Sequence, residues 1–362
     1  MDKRIKILFA GGGTGGHLYP AIAVAEEIQN LYPHTEIAFI GSKDKIEGRV
    51  VPTLGYQFYH IWISGFQRKL TLQNLLFPVK LISSLIKSLF ICMKFKADIA
   101  VGSGGYVSGP AIWAAKVMGA KIVLLEQNTY PGITTRILEK FADEIHVTFE
   151  ESIKYLRFKD KIKISGNPVR NSLRLIDKQE ARTKLGLKDK FTILITGGSL
   201  GAATINKGIA ENLEKINEMG IQLIWQTGKY YYEQYKHLAQ ENIKIMDFID
   251  DMQAAFSACD LVISRAGASA ISEIAVLKLP VILVPSPNVA ANHQYYNAKS
   301  LADKNAAILI EDKDFVNEIV PTLSKIFNNQ DILVELSKNI ETFAKPEATN
   351  VIANSVLKIL KI

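Results

Sequence analysis

Short apolar runs alternate with longer segments of helical pattern along the whole 362-residue chain, and the alternation restarts half-way. In the first half it predicts strands at Ile5–Ala10, Glu36–Ile40, Phe58–Ile63, Asp98–Gly102, Lys121–Leu125, Glu144–Thr148 and Lys161–Ser165, with helices such as Pro20–Leu31 between them. In the second half the runs are Phe191–Thr196, Gln222–Gln226, Ile243–Met246, Leu261–Ser264, Val281–Pro285 and Ala306–Ile310. Buried strands joined by crossover helices specify a parallel sheet covered on both faces. The expected fold class is α/β, with two doubly wound Rossmann-like domains facing a cleft. Domain boundaries fall at 1–169 and 170–345, with Gly166–Asp189 as linker and a C-terminal helix, 346–362, returning to the first domain.

Charge narrows the class of ligand. The net charge is +7, and residues 1–169 hold 21 basic and 14 acidic side chains, whereas residues 170–362 hold 22 of each. Gly48–Ala97 carries seven basic residues and no acid. Such a window meets something anionic. Nucleic acid is disfavoured, because no RNP-like or helix-turn-helix pattern accompanies the charge. Cys92 and Cys259 form no CxxC, and no HExxH is present, so neither a disulfide framework nor a zinc hydrolase is expected. The one DxD string, Asp312-Lys313-Asp314, reads as a solvated acidic turn, and no metal is implied.

Glycine-rich loops follow three of the strands. Gly11–His17 opens a helix, where glycines admit a ligand to the backbone and the free N–H groups favour an anion. Its spacing satisfies GxGxxG, yet strand two ends in Gly41-Ser42-Lys43 with no acid for a dinucleotide ribose; Asp44 and Glu47 come late. Gly102–Pro110 and Gly197–Ala202 are the other two, and no GK[ST] follows any of them, which disfavours ATP chemistry. In Ser264–Glu273 a strand runs into a helix again, with Glu273 able to accept hydrogen bonds from a ribose diol.

Taken in order, GGGTGGH, GSGGYVSGP, EQN (Glu126–Asn128), GNPVR (Gly166–Arg170), GGSLGA, FIDDM (Phe248–Met252), SRAGAS…SE and HQYYNA (His293–Ala298) resemble the MurG family. These are N-acetylglucosaminyltransferases of glycosyltransferase family 28 with the GT-B fold. The resemblance implies inverting transfer of GlcNAc from UDP-GlcNAc to the C4 hydroxyl of MurNAc in undecaprenyl-pyrophosphoryl-MurNAc-pentapeptide, giving UDP and no need of a cofactor. It implies donor contacts at Thr14, Gly15, Gly16, Asn128, Arg170, Ser199, Ile249, Ala268, Ser269, Ala270, Ile271, Ser272, Glu273 and Gln294, and an acceptor-side loop at Gly104, Gly105 and Tyr106. His293-Gln294 stands where the family often has Gln-Gln, so Gln294 alone is carried over as a sugar contact.

An inverting transfer needs a base for the acceptor hydroxyl. His17 is the candidate because imidazole titrates near working pH, the alternative being that it caps its helix or binds the acceptor pyrophosphate. Glu126 is a second candidate that could instead orient its loop. In Leu70–Lys96, apolar residues Leu75, Val79, Ile82, Ile86, Leu89 and Met93 recur at helical spacing, with Lys80, Lys87 and Lys94 every seven residues. With Arg68 and Lys69, segment 68–96 is a basic amphipathic patch for an anionic membrane surface, placing the enzyme peripherally on the cytoplasmic face of the cell membrane. Competing readings are a UDP-GlcNAc 2-epimerase, a diacylglycerol glycosyltransferase and a non-catalytic nucleotide-sugar-binding scaffold.

Overall fold

The computed structural model describes residues 4–65, 76–169 and 173–361. The chain divides into two compact units, Met1–Asn171 with Lys345–Ile362, and Ser172–Ala344. Among the described residues the first unit holds β1 (Lys6–Gly11), β2 (Glu36–Gly41), β3 (Gln57–His60), β4 (Ile99–Gly104), β5 (Lys121–Glu126), β6 (Glu144–Val147) and β7 (Ile162–Ile164). They pair in parallel in the order β3-β2-β1-β4-β5-β6-β7. The second holds β8 (Thr192–Thr196), β9 (Gln222–Gln226), β10 (Ile243–Met246), β11 (Leu261–Ser264), β12 (Val281–Leu283) and β13 (Ile308–Leu309), ordered β10-β9-β8-β11-β12-β13. Each predicted apolar run overlaps one of these strands. Their near-continuous burial, with the last five residues of both β1 and β2 buried, is what a sheet covered on both faces requires.

Strand order reverses between β1 and β4 in one sheet and between β8 and β11 in the other. At such a switch point the flanking helices leave in opposite directions, opening a crevice at the carboxyl ends of the strands. The glycine loops after β1, β4 and β8 and the Ser264–Glu273 segment after β11 all emerge there.

Two expectations need correction. Gly166–Asp189 is not linker throughout, because it contains the helix Lys178–Lys184, capped by the Asp177 carboxylate accepting from the Glu180 N–H at 2.9 Å. Its charges are engaged: Arg182 is buried and donates to Asp260 at 2.8 Å, and Asp189 takes its other arm. The helix Phe77–Phe95 is apolar on its exposed side as well as its buried one. It buries Ser84, Ser88, Ile91, Cys92 and Phe95 in the first unit, while Val79, Ile82, Ile86 and Phe90 are each more than half exposed and Met93 is nearly so. Leu89, assigned to the outer stripe, packs on the core with Leu81. Phe90 belongs to the exposed stripe instead. Leu75, Arg68 and Lys69 lie outside the described residues.

The C-terminal helix Ala348–Ile359 completes the first unit. Ile352, Ala353 and Val356 enter the core shared with the Gly15–Leu31 helix, and the Thr349 hydroxyl donates to the Val169 carbonyl at 2.8 Å. Ser355 donates to Glu144, which also lies 3.3 Å from Nε2 of the buried His146; His146 Nδ1 is 2.5 Å from the Ser165 hydroxyl. Burial pushes the His146 pKa down from 6.5 to about 4, Lys163 adding to this and Glu144 opposing it. The unfolded chain therefore binds a proton that the folded chain refuses between those values. Stability is full above pH 6.5 and falls as pH drops towards 4, by about 2 kcal/mol between pH 7.5 and 5. Urea unfolding at the two pH values should show that loss, and His146→Gln should remove most of it.

Candidate active site

In the first unit the site is built around the end of β1. The chain turns at Gly13 (φ 83°) into the Gly15–Leu31 helix, whose first turn has no side-chain cap. The turn is held by Glu47, which is 1% exposed and reaches back from the Ile46–Thr53 helix. Its carboxylate accepts the N–H groups of Gly13 at 2.9 Å and Ser42 at 3.0 Å. A Cβ at Gly12 or Gly41 would lie 2.3 or 2.4 Å from that side chain. Those glycines make room for the carboxylate.

The loop after β4 packs on the first. Gly105 adopts φ 79°, and a Cβ there would sit 2.4 Å from the Gly12 carbonyl oxygen, so this close approach requires glycine. The His17 ring lies against Gly104, with Nδ1 3.3 Å from the Thr14 hydroxyl, while the His17 carbonyl accepts from Ser103 at 2.8 Å. Tyr106 sets its ring beside Gly13; burial, then the neighbouring Glu47, raises its phenol pKa. Thr14, Gly15, Gly16 and His17 thus share one wall with Gly104, Gly105 and Tyr106.

Glu126, at the end of β5, is turned into its own loop. It accepts the N–H groups of Asn128 and Gly132, each at 3.0 Å, and Thr135 also bonds it. Burial raises its pKa against the pull of these bonds. The geometry fits the orienting alternative better than a base. Asn128 is half-buried beside it, its Nδ2 3.4 Å from Glu126 Oε1.

In the second unit a cavity of about 620 Å³ opens at the β8/β11 switch point. Ser199, Ala270, Glu273 and Gln294 line it. The run Ala268–Glu273 does not face it as a whole, because the Ala268–Val276 helix divides it by its period. Ala270 and Glu273 line the cavity; Ala268 and Ile271 are buried, the Ser269 hydroxyl is shielded, and Ser272 bonds back to the Ala268 carbonyl at 2.9 Å. Gln294 accepts the Ser286 N–H at 2.9 Å, whereas His293 directs Nδ1 to the Ala290 carbonyl at 2.8 Å and is not among the lining residues. Burial lowers the His293 pKa. Arg170 lies outside the described residues.

In the second unit Gln226, Arg265 and Asp312 escaped the sequence reading. Gln226, the buried last residue of β9, accepts the Ile249 N–H at 3.0 Å and donates to the Gly198 carbonyl at 3.0 Å, joining the β8 loop to the FIDDM loop. Ile249 itself is buried with its N–H thereby committed. Asp312 is no solvated turn residue: it is largely buried, lines the cavity, pairs with Arg265 and accepts from the Thr204 hydroxyl at 2.8 Å. The polar end of β9, QLIWQ, was the available signal for Gln226; Arg265 and Asp312 meet only through the fold. Among the described residues no group of His, Cys, Asp and Glu is gathered that could hold a metal ion.

The Glycosyltransferase family 28 N-terminal domain matches residues 7–147, and the Glycosyltransferase family 28 C-terminal domain matches residues 192–352. The chain belongs to glycosyltransferase family 28. A relative from Cytophaga hutchinsonii, named UDP-N-acetylglucosamine--N-acetylmuramyl-(pentapeptide) pyrophosphoryl-undecaprenol N-acetylglucosamine transferase, is 45% identical over 99% of this chain and 98% of its own. One of the same name from Flavobacterium psychrophilum is 44% identical over 99% of each. The crystal structure of Acinetobacter baumannii MurG, at 26% identity, covers 98% of this chain and 99% of its own with a TM-score of 0.76. This family 28 chain is therefore a glycosyltransferase of GT-B fold.

Proposed function

We propose that this glycosyltransferase moves GlcNAc from UDP-GlcNAc to the C4 hydroxyl of MurNAc in undecaprenyl-pyrophosphoryl-MurNAc-pentapeptide, inverting the anomeric centre and releasing UDP. The observation that carries the proposal is full-length identity of 41–45% to transferases of that name. That identity, rather than the fold, favours transfer over epimerisation, since nucleotide-sugar epimerases share the architecture.

The second unit takes the donor. Glu273 receives the ribose diol, and the Gly197–Ala202 loop and the start of the Ala268–Val276 helix meet the diphosphate with N–H groups. Because the Ile249 N–H is held by Gln226, any backbone contact from Ile249 to the uracil falls to its carbonyl. Gln294 reads the sugar with its amide, and Arg170 supplies charge to the departing diphosphate. The first unit takes the acceptor at the wall formed by Gly104, Gly105 and Tyr106 beside Thr14–His17. His17 takes the proton from the C4 hydroxyl as the sugar bond forms and the bond to UDP breaks.

The acceptor's polyprenyl tail stays in a bilayer, so the enzyme meets it there. No helix among the described residues is long and apolar enough to cross a membrane. The outer stripe of the Phe77–Phe95 helix instead lies on the surface, with Lys80, Lys87 and Lys94 beside it. On this reading the enzyme works peripherally on the cytoplasmic face, where nucleotide sugars are.

Calorimetric titration tests the donor assignment. Wild type should bind UDP-GlcNAc, and Glu273→Gln should weaken it at least tenfold, the loss expected when a charge-assisted hydrogen bond becomes a neutral one in a partly buried site. Equal affinity in the variant would remove Glu273 from the ribose, and no binding by the wild type would remove the donor assignment.

A further inference from the structure

We infer that Asp312 is a positioning residue for the donor diphosphate, acting through Arg265; the inference rests on reading the second unit's cavity as the donor site. Of the described residues that line this cavity, Arg265 is the one cation, and Glu273 and Asp312 are the carboxylates. A diphosphate bears about two negative charges, so where that guanidinium points decides whether the cavity welcomes or resists it.

Arg265 sits just beyond β11. Its Nη1 is anchored twice, to Asp312 Oδ1 and to the Val284 carbonyl at 3.0 Å. Guanidinium is a rigid plane with five N–H donors, so fixing one arm fixes the directions of Nη2 and Nε. The other oxygen of Asp312 accepts from Thr204, in the first turn of the Ala203–Glu211 helix that follows the Gly197–Ala202 loop. One carboxylate therefore ties together three segments at the cavity: the arginine after β11, the helix behind the glycine loop, and its own turn after β13. The pair is largely shielded, with side chains 14% and 17% exposed, so the geometry is held rather than averaged over rotamers.

Asp312→Asn has the same shape but no charge: its oxygen can still accept from Arg265, and its amide nitrogen can donate to the Thr204 hydroxyl. It turns the charge-assisted anchor of Arg265 into a neutral one while leaving the uridine-facing parts of the site in place. Dissociation constants for UDP and for uridine, measured on the full chain at two salt concentrations, separate the explanations. The expected result is UDP weakened about tenfold and uridine within twofold, with a smaller UDP-selective loss for Thr204→Val. Equal weakening of UDP and uridine would mean that Asp312 only supports the fold. Tighter UDP would mean that it masks Arg265 rather than aiming it. Either result overturns the inference, as does UDP binding unchanged in both variants. Should Asp312→Asn fail to fold, Thr204→Val carries the same comparison: a UDP-selective loss supports positioning, and unchanged UDP affinity opposes it. Failure of wild type to bind UDP would instead strike the donor reading itself.

Discussion

Glu47→Ala is expected to reduce transfer more than 100-fold and to destabilise the first unit by about 3–5 kcal/mol. The carboxylate accepts two backbone N–H groups, those of Gly13 and Ser42, inside the protein. Removing it leaves two donors without partners, at about 1–3 kcal/mol each, and a void that Gly12 and Gly41 cannot fill. Gly13 then loses the bond that holds its turn, and with it go the packing on Tyr106 and the seat of the Gly104–Gly105 loop. Glu47→Gln separates the two losses. It fills the volume and keeps one acceptor, so stability should recover most of the way while the acceptor KM stays high. Thermal unfolding and acceptor titrations check both statements, and an Ala variant with near-normal turnover would show that the loop holds its shape unaided.

The second large effect is on the surface of the Phe77–Phe95 helix. Ile82→Glu with Ile86→Glu should abolish binding to vesicles containing anionic lipid and leave UDP-GlcNAc affinity and folding unchanged. Both residues are exposed, so no core contact is lost. Each isoleucine that enters the bilayer interface contributes about 1.5–3 kcal/mol, and each adjacent lysine about 1 kcal/mol. Two added carboxylates oppose both terms. Transfer to a bilayer-embedded acceptor should fall at least 30-fold, while transfer to a detergent-free short-chain acceptor should stay within twofold of wild type. A parallel loss with both acceptors would assign the stripe to the fold or to the site.

Alternating apolar runs made all the strands legible, because burial on both faces leaves a strand few polar choices. Strand ends were less legible: Val281–Pro285 shrinks to Val281–Leu283, since Pro285 has no N–H for the ladder. Glycine loops revealed where ligands approach, but not what holds the loops. Glu47 was set aside because it comes too late for a dinucleotide ribose, and lateness in sequence is what lets a following helix return it to Gly13. Asp312 looked solvated for a similar reason, since its partners Arg265 and Thr204 lie 47 and 108 residues away. In the helix Phe77–Phe95, Ser84 and Ser88 face the core beside Ile91, Cys92 and Phe95, and a second row of large apolar residues, Val79, Ile82, Ile86 and Phe90, is left outside.

The central claim is tested most directly by incubating the full-length enzyme with radiolabelled UDP-GlcNAc and a short-chain analogue of undecaprenyl-pyrophosphoryl-MurNAc-pentapeptide, with EDTA present. The account predicts a labelled disaccharide lipid carrying a β-1,4 linkage, formed by wild type and reduced at least 100-fold by His17→Gln. Donor binding with no labelled product, or label appearing on a diacylglycerol acceptor instead, would contradict it.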